Sequence, residues 1–543
     1  MKIGTSYRQE DIEGTFDVIV VGSGIGGLGS AALLARHGGK RVLVLERHYT
    51  AGGFTHSFHR PGYEWDVGLH YVGQVMDPEL PLRRMFDDVT NAELEWADMG
   101  EVYDRVIIGN DVYDFPKGKE AFRRQMHAYF PSERGAIDAY LKRVTTTIRR
   151  GGLYFAEKSL PPQISRLLGG ALRWPVLRRA KLTTRQMLES LTENQRLIGV
   201  LTGQYLDYGL PPSRSSFFIH ALIADYYLEG AGYPVGGASR IAATIAPVIE
   251  NAGGRVFTSA EVREILVEGD RAVGVRLADG NELRAPVVIS DAGVANTYRR
   301  LLPEETRLHL GLDRVLERHE PSIAHLCLHL GMRETAAELS LDKTNLWIYS
   351  HHDHDRNVER YLADPDAPFP GVYISFPSAK DPDFPRRYPG RATVEVLAMA
   401  PYTWFRKWEN EPWRKRGDEY EELKGRLSDR LLETVYAHCP QLRGKVDHME
   451  LSTPLSTRHF AGHAQGEIYG LAATPAFFDD RALRPGTPLR GLYLTGADIC
   501  SLGIGGALPG GMLTAAAVLG RNLLGDIAQG AAAARASREG KAA

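Results

Sequence analysis

The 543-residue chain predicts a mixed α/β (α+β) protein: a Rossmann-type dinucleotide-binding domain assembled from discontinuous segments, plus a substrate domain with an antiparallel sheet and a helical part. Three observations predict it. Residues 17–46 read strand, glycine turn, helix, strand and closing acid, a dinucleotide fingerprint in its required context. Residues 491–522, at the other end, read strand, glycine turn, acid and apolar helix. Residues 233–293 lie between them and read glycine turn, helix and short alternating strands.

In the first segment Val18–Val21 is an unbroken β-branched run, suited to a strand buried on both faces of a parallel sheet. Gly22, Gly24 and Gly27 follow in G-x-G-x-x-G spacing. Gly22 permits the tight turn, Gly24 lets the backbone approach a pyrophosphate, and Gly27 lets the helix pack on the strand. The helix expected over 25–37 directs its positive N-terminal end at the phosphates and stops at Gly38-Gly39. Glu46, at the tip of the strand Val42–Leu45, can accept from a ribose hydroxyl.

The late segment decides which nucleotide is bound. A strand at 492–495 turns at Gly496, Asp498 stands just beyond, and the chain passes through Gly506, Ala507 and Leu508 into an apolar helix. A nicotinamide enzyme has no use for such a segment. An acid for the ribityl and pyrophosphate side and a helix N-terminus aimed at a ring suit a flavin, so FAD is the expected cofactor.

The middle piece adds a helix ending at Gly253-Gly254 and hairpin turns at Glu268-Gly269-Asp270 and Asp279-Gly280-Asn281. A strand at 287–290 then returns to the sheet. Val262 is expected on the strand whose backbone meets the adenine. The cofactor domain is therefore expected from 1–75, 231–299 and 461–530. The substrate domain takes 76–230, largely helical beyond 120, and 300–460, where the runs HLCLHL, LWIYS, GVYISF and ATVEVLAMA suggest an antiparallel pocket floor. The tail, 531–543, is expected to be disordered.

Composition narrows the function classes. With 43 % hydrophobic residues the chain can build sizeable cores, and a net charge of -2 gives no reason to expect nucleic acid. Cys327, Cys439 and Cys500 lie far apart without a C-x-x-C, which supports neither a zinc site nor a disulfide framework and fits a reducing compartment. Neither a membrane span nor a signal peptide is expected, the mature chain is expected to start near Met1, and the expected location is cytoplasmic. Residues 161–185 carry six basic residues, no acidic ones, a Trp and several leucines. Such a stretch can lie on anionic lipid at the inner face of a membrane, and an ordinary helical hairpin with a solvated basic face fits it equally well.

The strings GSGIGGL, LERHYTAGG, DVGLHYVG, SSFFIHALIADYYLEGAGYPVGGASRIA, FPSAKDP, PGRAT, TGADICSLGIGGAL and RNLLGDI span nearly the whole chain. In them the sequence resembles the flavin amine-oxidase/phytoene-desaturase superfamily, and within it the carotenoid isomerase and retinol saturase branch, as a bacterial-type member. The resemblance implies the family fold and FAD. It places Gly22, Gly24, Gly26, Gly27, Glu46, Gly52, Gly53, Val262 and Asp498 at the cofactor. Arg47 is grouped with them, although a lone arginine is more often solvated than a reader of a 2′-phosphate.

The activity implied by the resemblance is an FAD-dependent oxidoreductase acting on carbon-carbon double bonds of a long lipophilic polyene: a carotenoid, a retinoid or an unsaturated fatty acyl chain. Saturation is the leading reaction, with desaturation and cis-trans isomerisation open on the same substrates and the electron donor unspecified. Amine oxidation competes within the superfamily, and the saturase-like strings argue against it. A redox-inactive flavin-bearing lipid-binding protein is the alternative from another class.

A flavin exchanges hydride at one ring nitrogen, so the protein has to hold a carbon chain against that face and exclude water. Saturating an alkene also needs a proton. Candidate donors or orienters are His70 and Tyr71 in DVGLHYVG, His220 in FFIHAL, and Tyr469 in GEIYG. A satisfied structural residue is the commoner reading of each. No metal is expected. His459 and His463 have a helical i, i+4 spacing but Gly462 between them and no third ligand, and HHDHD at 351–355 sits between a strand and a charged helical stretch.

Overall fold

Six parallel strands form one sheet from the beginning, middle and end of the chain: Thr5–Ser6, Arg255–Thr258, Val42–Leu45, Val18–Val21, Val287–Ser290 and Leu492–Leu494, in that spatial order. This computed structural model describes residues 2–8, 10 and 12–542. Val18–Val21 and Val42–Leu45 are buried along their whole length, as apolar runs covered on both faces require. The helix after the glycine turn is Ile25–Gly38, one residue longer than expected. It ends because Gly39 takes a left-handed φ of 58° and donates its N–H to the Leu34 carbonyl.

Helix Ile504–Leu519 packs directly on Ile25–Gly38. Small residues allow it: a Cβ on Gly29 would stand 2.5 Å from Leu508 Cδ1, and one on Gly511 would stand 2.6 Å from the Gly26 carbonyl. The helix begins four residues before the expected Leu508, through a glycine-rich turn of poor intrinsic propensity and across Pro509, because tertiary packing outweighs local preference there.

The middle piece contributes helix Ser239–Asn251 and a separate antiparallel sheet of Val262–Glu268, Arg271–Leu277 and Glu282–Arg284. Its connections use Gly269 and Gly280 at positive φ, as the hairpin signals anticipate.

A seven-stranded sheet runs in the order Val446–Ser452, His325–Met332, Ala392–Met399, Val372–Ser375, Asn345–Tyr349, Val102–Ile108 and Asp111–Pro116, in the part of the chain expected to meet the substrate. All its pairs are antiparallel except Asn345–Tyr349 with Val102–Ile108. Two of these strands come from 102–116, within the stretch assigned to the helical half. One face of the sheet packs Leu326, Leu328, Leu330 and Val394 against Leu427, Leu431 and Val435 of helix Asp418–His438. Helices Arg134–Lys158, Pro162–Ala180 and Phe217–Leu228 dominate the helical part.

The tail departs from its expected disorder. Leu524–Ala542 is one helix, with Ala531 and Ala534 buried, Arg535 paired to Asp87 at 3.0 Å and Arg538 donating to the Ala92 carbonyl at 2.7 Å. Its alanines favour helix, and those contacts dock it on helix Pro81–Val89 and the turn that follows. Among the described residues no helix is long and apolar enough to cross a membrane.

Candidate active site

A cavity of about 770 Å3 joins the loop ends of the parallel sheet to the inner face of the seven-stranded sheet. One wall is the turn Gly22, Gly24 and Gly26 with Glu46, Gly52 and Gly53. Arg47, Val262, Asp498 and Ala507 complete that end. The far wall is made by Trp347, Tyr373, Leu397 and Met399, and His70 and Tyr469 line the same cavity.

The cofactor wall is built to let a dinucleotide lie against backbone. Gly52 has a φ of 127°, and a Cβ on Gly53 would stand 2.9 Å from Gly24 Cα, so side chains at this crossing would close the cleft. Glu46, the acid expected at the ribose, is held in place at the cavity wall: Oε2 accepts from the Ser23 N–H at 3.0 Å and the Ser23 hydroxyl at 2.7 Å, and Oε1 from the His48 N–H at 2.7 Å. Asp498 is buried, and burial pushes its carboxyl up; its two oxygens accept from the Leu471 and Val294 N–H groups, each at 2.8 Å. It thereby ties three chain segments together at the cavity edge. Arg47 is exposed and donates to the His459 carbonyl. These features fit FAD.

Four of the expected cofactor residues lie off the cavity. Gly27, Gly496, Gly506 and Leu508 do not line it: Gly27 packs on Gly22 and Asp291, Gly496 on Gly26, Leu508 on Gly29, and Gly506 on Ser501. Asp291, at the end of strand Val287–Ser290, was not anticipated. Its carboxyl is half-buried among the glycines, with Oδ2 2.5 Å from where a Gly24 Cβ would be, and desolvation there lifts it to about 7. An acid at the carboxyl end of a parallel strand is the signal that could have found it.

His70 is the catalytic candidate best placed. Its Nδ1 lies 2.9 Å from Glu395 Oε2, off the line of a straight hydrogen bond, and neither atom has another hydrogen-bond partner among the described residues. Lys380 Nζ donates to the His70 carbonyl at 3.0 Å, to Ser375 Oγ at 2.7 Å and to Asn345. Burial, helped by the Lys380 charge, pulls His70 down to about 3. Burial pushes Glu395 up to about 8, and pulls Lys380 down to about 7.

The other three candidates separate. Tyr469 lines the cavity, and its backbone N–H is fixed by Ser322 Oγ at 3.0 Å. Tyr71 lies one layer behind, donating to Asp104 at 2.9 Å and stacked on Tyr227 with centroids 4.3 Å apart. His220 is remote from the cavity, between the Tyr140 hydroxyl at 2.9 Å and the Tyr208 hydroxyl at 3.2 Å, and burial pulls it down to about 3.

The strand HLCLHL turns His325, Cys327 and His329 into the cavity and Leu326, Leu328 and Leu330 into the core. Period-two alternation could have shown this. HHDHD is spent on structure: Asp353 caps helix His354–Ala363, His354 Nε2 meets the Gly199 carbonyl at 2.8 Å, and Asp355 takes Arg185 at 2.9 Å and the Ser213 N–H at 3.0 Å. His459 stacks on Trp413, and His463 lies 3.4 Å from Glu467. Among the described residues no group of three or more His, Cys, Asp or Glu is arranged to hold a metal ion.

The all-trans-retinol 13,14-reductase of Rattus norvegicus is 37 % identical, over 97 % of this chain and 89 % of its own. The chloroplastic prolycopene isomerase of Arabidopsis thaliana is 25 % identical over 85 % of this chain and 75 % of its own. Among solved structures an oxidoreductase from Methanosarcina mazei superposes with a TM-score of 0.61 at 19 % identity, covering 91 % of this chain and 98 % of that one, which is a likeness of fold. The model of the flavin containing amine oxidoreductase family matches residues 25–519. With its fingerprint, its late flavin segment and this match, the chain belongs to the flavin containing amine oxidoreductases and is an FAD-dependent oxidoreductase.

Proposed function

We propose that the chain saturates a carbon-carbon double bond in a long conjugated lipid of the retinoid or carotenoid class, adding two hydrogens. The observation that carries this reading is the single cavity that connects the cofactor wall to a chamber of Trp347, Tyr373, Leu397 and Met399, with His70 on its surface. Bound FAD supplies hydride exchange at one ring nitrogen. The rest falls to the protein's own groups. The aromatic and aliphatic walls hold a flat polyene in place and keep water from the reacting carbons. Conjugation spreads the charge that hydride addition leaves on the chain, and His70 is the group positioned to place a proton on it.

The names of the two relatives, a retinol reductase and a prolycopene isomerase, support a conjugated polyene over an amine as substrate. Reduced enzyme carrying deuterium at the flavin, mixed anaerobically with all-trans-retinol, is expected to give a product two hydrogens heavier with label in its carbon skeleton. A product of unchanged mass would assign isomerisation, and one two hydrogens lighter desaturation.

The partner surface in this reading is an anionic bilayer, met by helix Pro162–Ala180 and the neighbouring Arg134–Lys158. Leu153, Ile164, Leu167, Leu168 and Trp174 are exposed, Leu167 at 82 % and Trp174 at 60 %. Arg143, Arg150 and Arg178 surround Arg179, and none of the four is in an ion pair among the described residues. Exposed apolar side chains beside uncompensated arginines suit a lipid surface carrying negative charge.

A further inference from the structure

We infer that Glu395 is the site's proton store and positioning residue, holding a proton against His70 Nδ1 so that His70 Nε2–H is presented to the substrate carbon. The inference rests on the reading of His70 as proton donor. Its basis is a strand that should be apolar. Ala392–Met399 runs through the buried middle of the seven-stranded sheet, and Glu395 interrupts it with a side chain that is fully buried. A buried carboxyl is costly unless it is paired or protonated.

Glu395 is only half satisfied by structure. Oε1 accepts from the Asp66 N–H at 2.8 Å. Oε2 has the His70 Nδ1 at 2.9 Å and nothing else among the described residues. The imidazole therefore bridges the carboxyl and the cavity it lines. One ring nitrogen faces the store and the other is left for the substrate side. The groups facing Glu395 from neighbouring elements are Asp66, Lys380, Cys327, Tyr233, Tyr373 and, on the paired strand, His329. Lys380, pulled down to about 7, is the one of the six that is partly cationic at neutral pH, and that charge steadies the carboxylate left behind.

The step balances. The Glu395 O–H bond breaks as an N–H bond forms at His70 Nδ1. The His70 Nε2–H bond breaks as a C–H bond forms at the carbon that hydride addition has left with an electron pair. After the product leaves, a solvent proton is taken up at His70 Nε2 from the cavity as the Nδ1 proton passes back to Glu395, which restores both groups. The protonation states agree, since His70 is neutral and Glu395 keeps its proton up to about 8.

The test uses the FAD-loaded full chain with all-trans-retinol. E395Q keeps the size and the Asp66 contact but cannot release a proton, so kcat for saturation is expected to fall about 100- to 10,000-fold. KM and FAD content should stay near wild type. The wild-type rate is expected to decline as pH rises through about 8, and the residual E395Q rate to lose that limb. Nitrogen NMR of histidine-labelled wild-type protein, with His70 assigned through H70Q, is expected to show the Nε2–H tautomer at pH 6. The Nδ1–H tautomer there, donating to an ionised Glu395, would overturn the inference even if E395Q failed to fold. A slow H70Q with a wild-type E395Q would overturn the store and leave His70 as donor; wild-type rates in both would remove His70 as well.

Discussion

A Cβ on Gly26 would stand 2.5 Å from the Cα of Gly496, so the turn near the start of the chain and the turn near its end touch backbone to backbone. Gly26→Ala must therefore push the two segments apart. It is expected to lower stability by about 1–3 kcal/mol, the usual cost of overpacking, and to lower the flavin-to-protein absorbance ratio. Gly24→Val, whose Cβ would meet Asp291 Oδ2 at 2.5 Å, is expected to abolish flavin retention. Full flavin content and unchanged melting in both variants would show that the turns do not meet as described.

Asp291 predicts a pH signature of folding. Its carboxyl ionises near 3.8 when solvated and near 7 in the folded protein, where burial dominates and Glu46 and Asp498 add to it. Between those values the native state holds more protons than the unfolded state, so stability falls as pH rises across that window. Asp291→Asn removes this contribution, worth on the order of 1.4 kcal/mol for each tenfold difference in proton affinity between the two states. Denaturant midpoints from pH 4 to 8 are expected to fall less steeply in the variant than in wild type, and parallel curves would count against a raised Asp291.

His220 should report on structure alone. Removing it orphans the buried Tyr140 hydroxyl, at a cost of about 1–3 kcal/mol, and leaves the Tyr208 hydroxyl with Ser215 alone. His220→Ala is thus expected to melt earlier while keeping its kcat per bound flavin. A large loss of kcat at normal stability would move His220 into the reaction.

The proposed lipid face predicts a paired dependence on charge and apolar area. Binding to vesicles containing anionic lipid is expected to weaken with salt and in the double variant Arg178→Glu, Arg179→Glu. Leu167→Asp and Trp174→Asp should weaken it at any salt. Partitioning that ignores all four changes would leave 162–180 an ordinary solvated helix.

The sequence revealed the cofactor half more fully than the reaction half. Glycine spacing, β-branched runs and an acid at a strand tip are local signals, and Val18–Val21, Gly22, Gly24, Glu46 and Val287–Ser290 lie where they indicate. The Arg535 and Arg538 contacts that order the tail are long-range and leave no local trace. His70 could be singled out beside a glycine string, but its partner Glu395 comes from a strand far along the chain, and only the sheet brings them together. His220 looked equivalent to His70 because a histidine in an apolar run reads the same whether it faces a cavity or two tyrosines.

The spatial order of the parallel sheet also sets a timetable for biosynthesis. Strand Val287–Ser290 pairs with Val18–Val21 on one side and Leu492–Leu494 on the other, so one edge stays open until the last segment leaves the ribosome. At translation speeds of about 5–20 residues per second, that edge waits about 10–40 seconds for Leu492, and helix Ile25–Gly38 waits longer for helix Ile504–Leu519. A polypeptide cut short before Leu492 would carry the entire amino-terminal fingerprint yet lack Asp498 and Ala507, so the cavity is completed only by the last segment to be made.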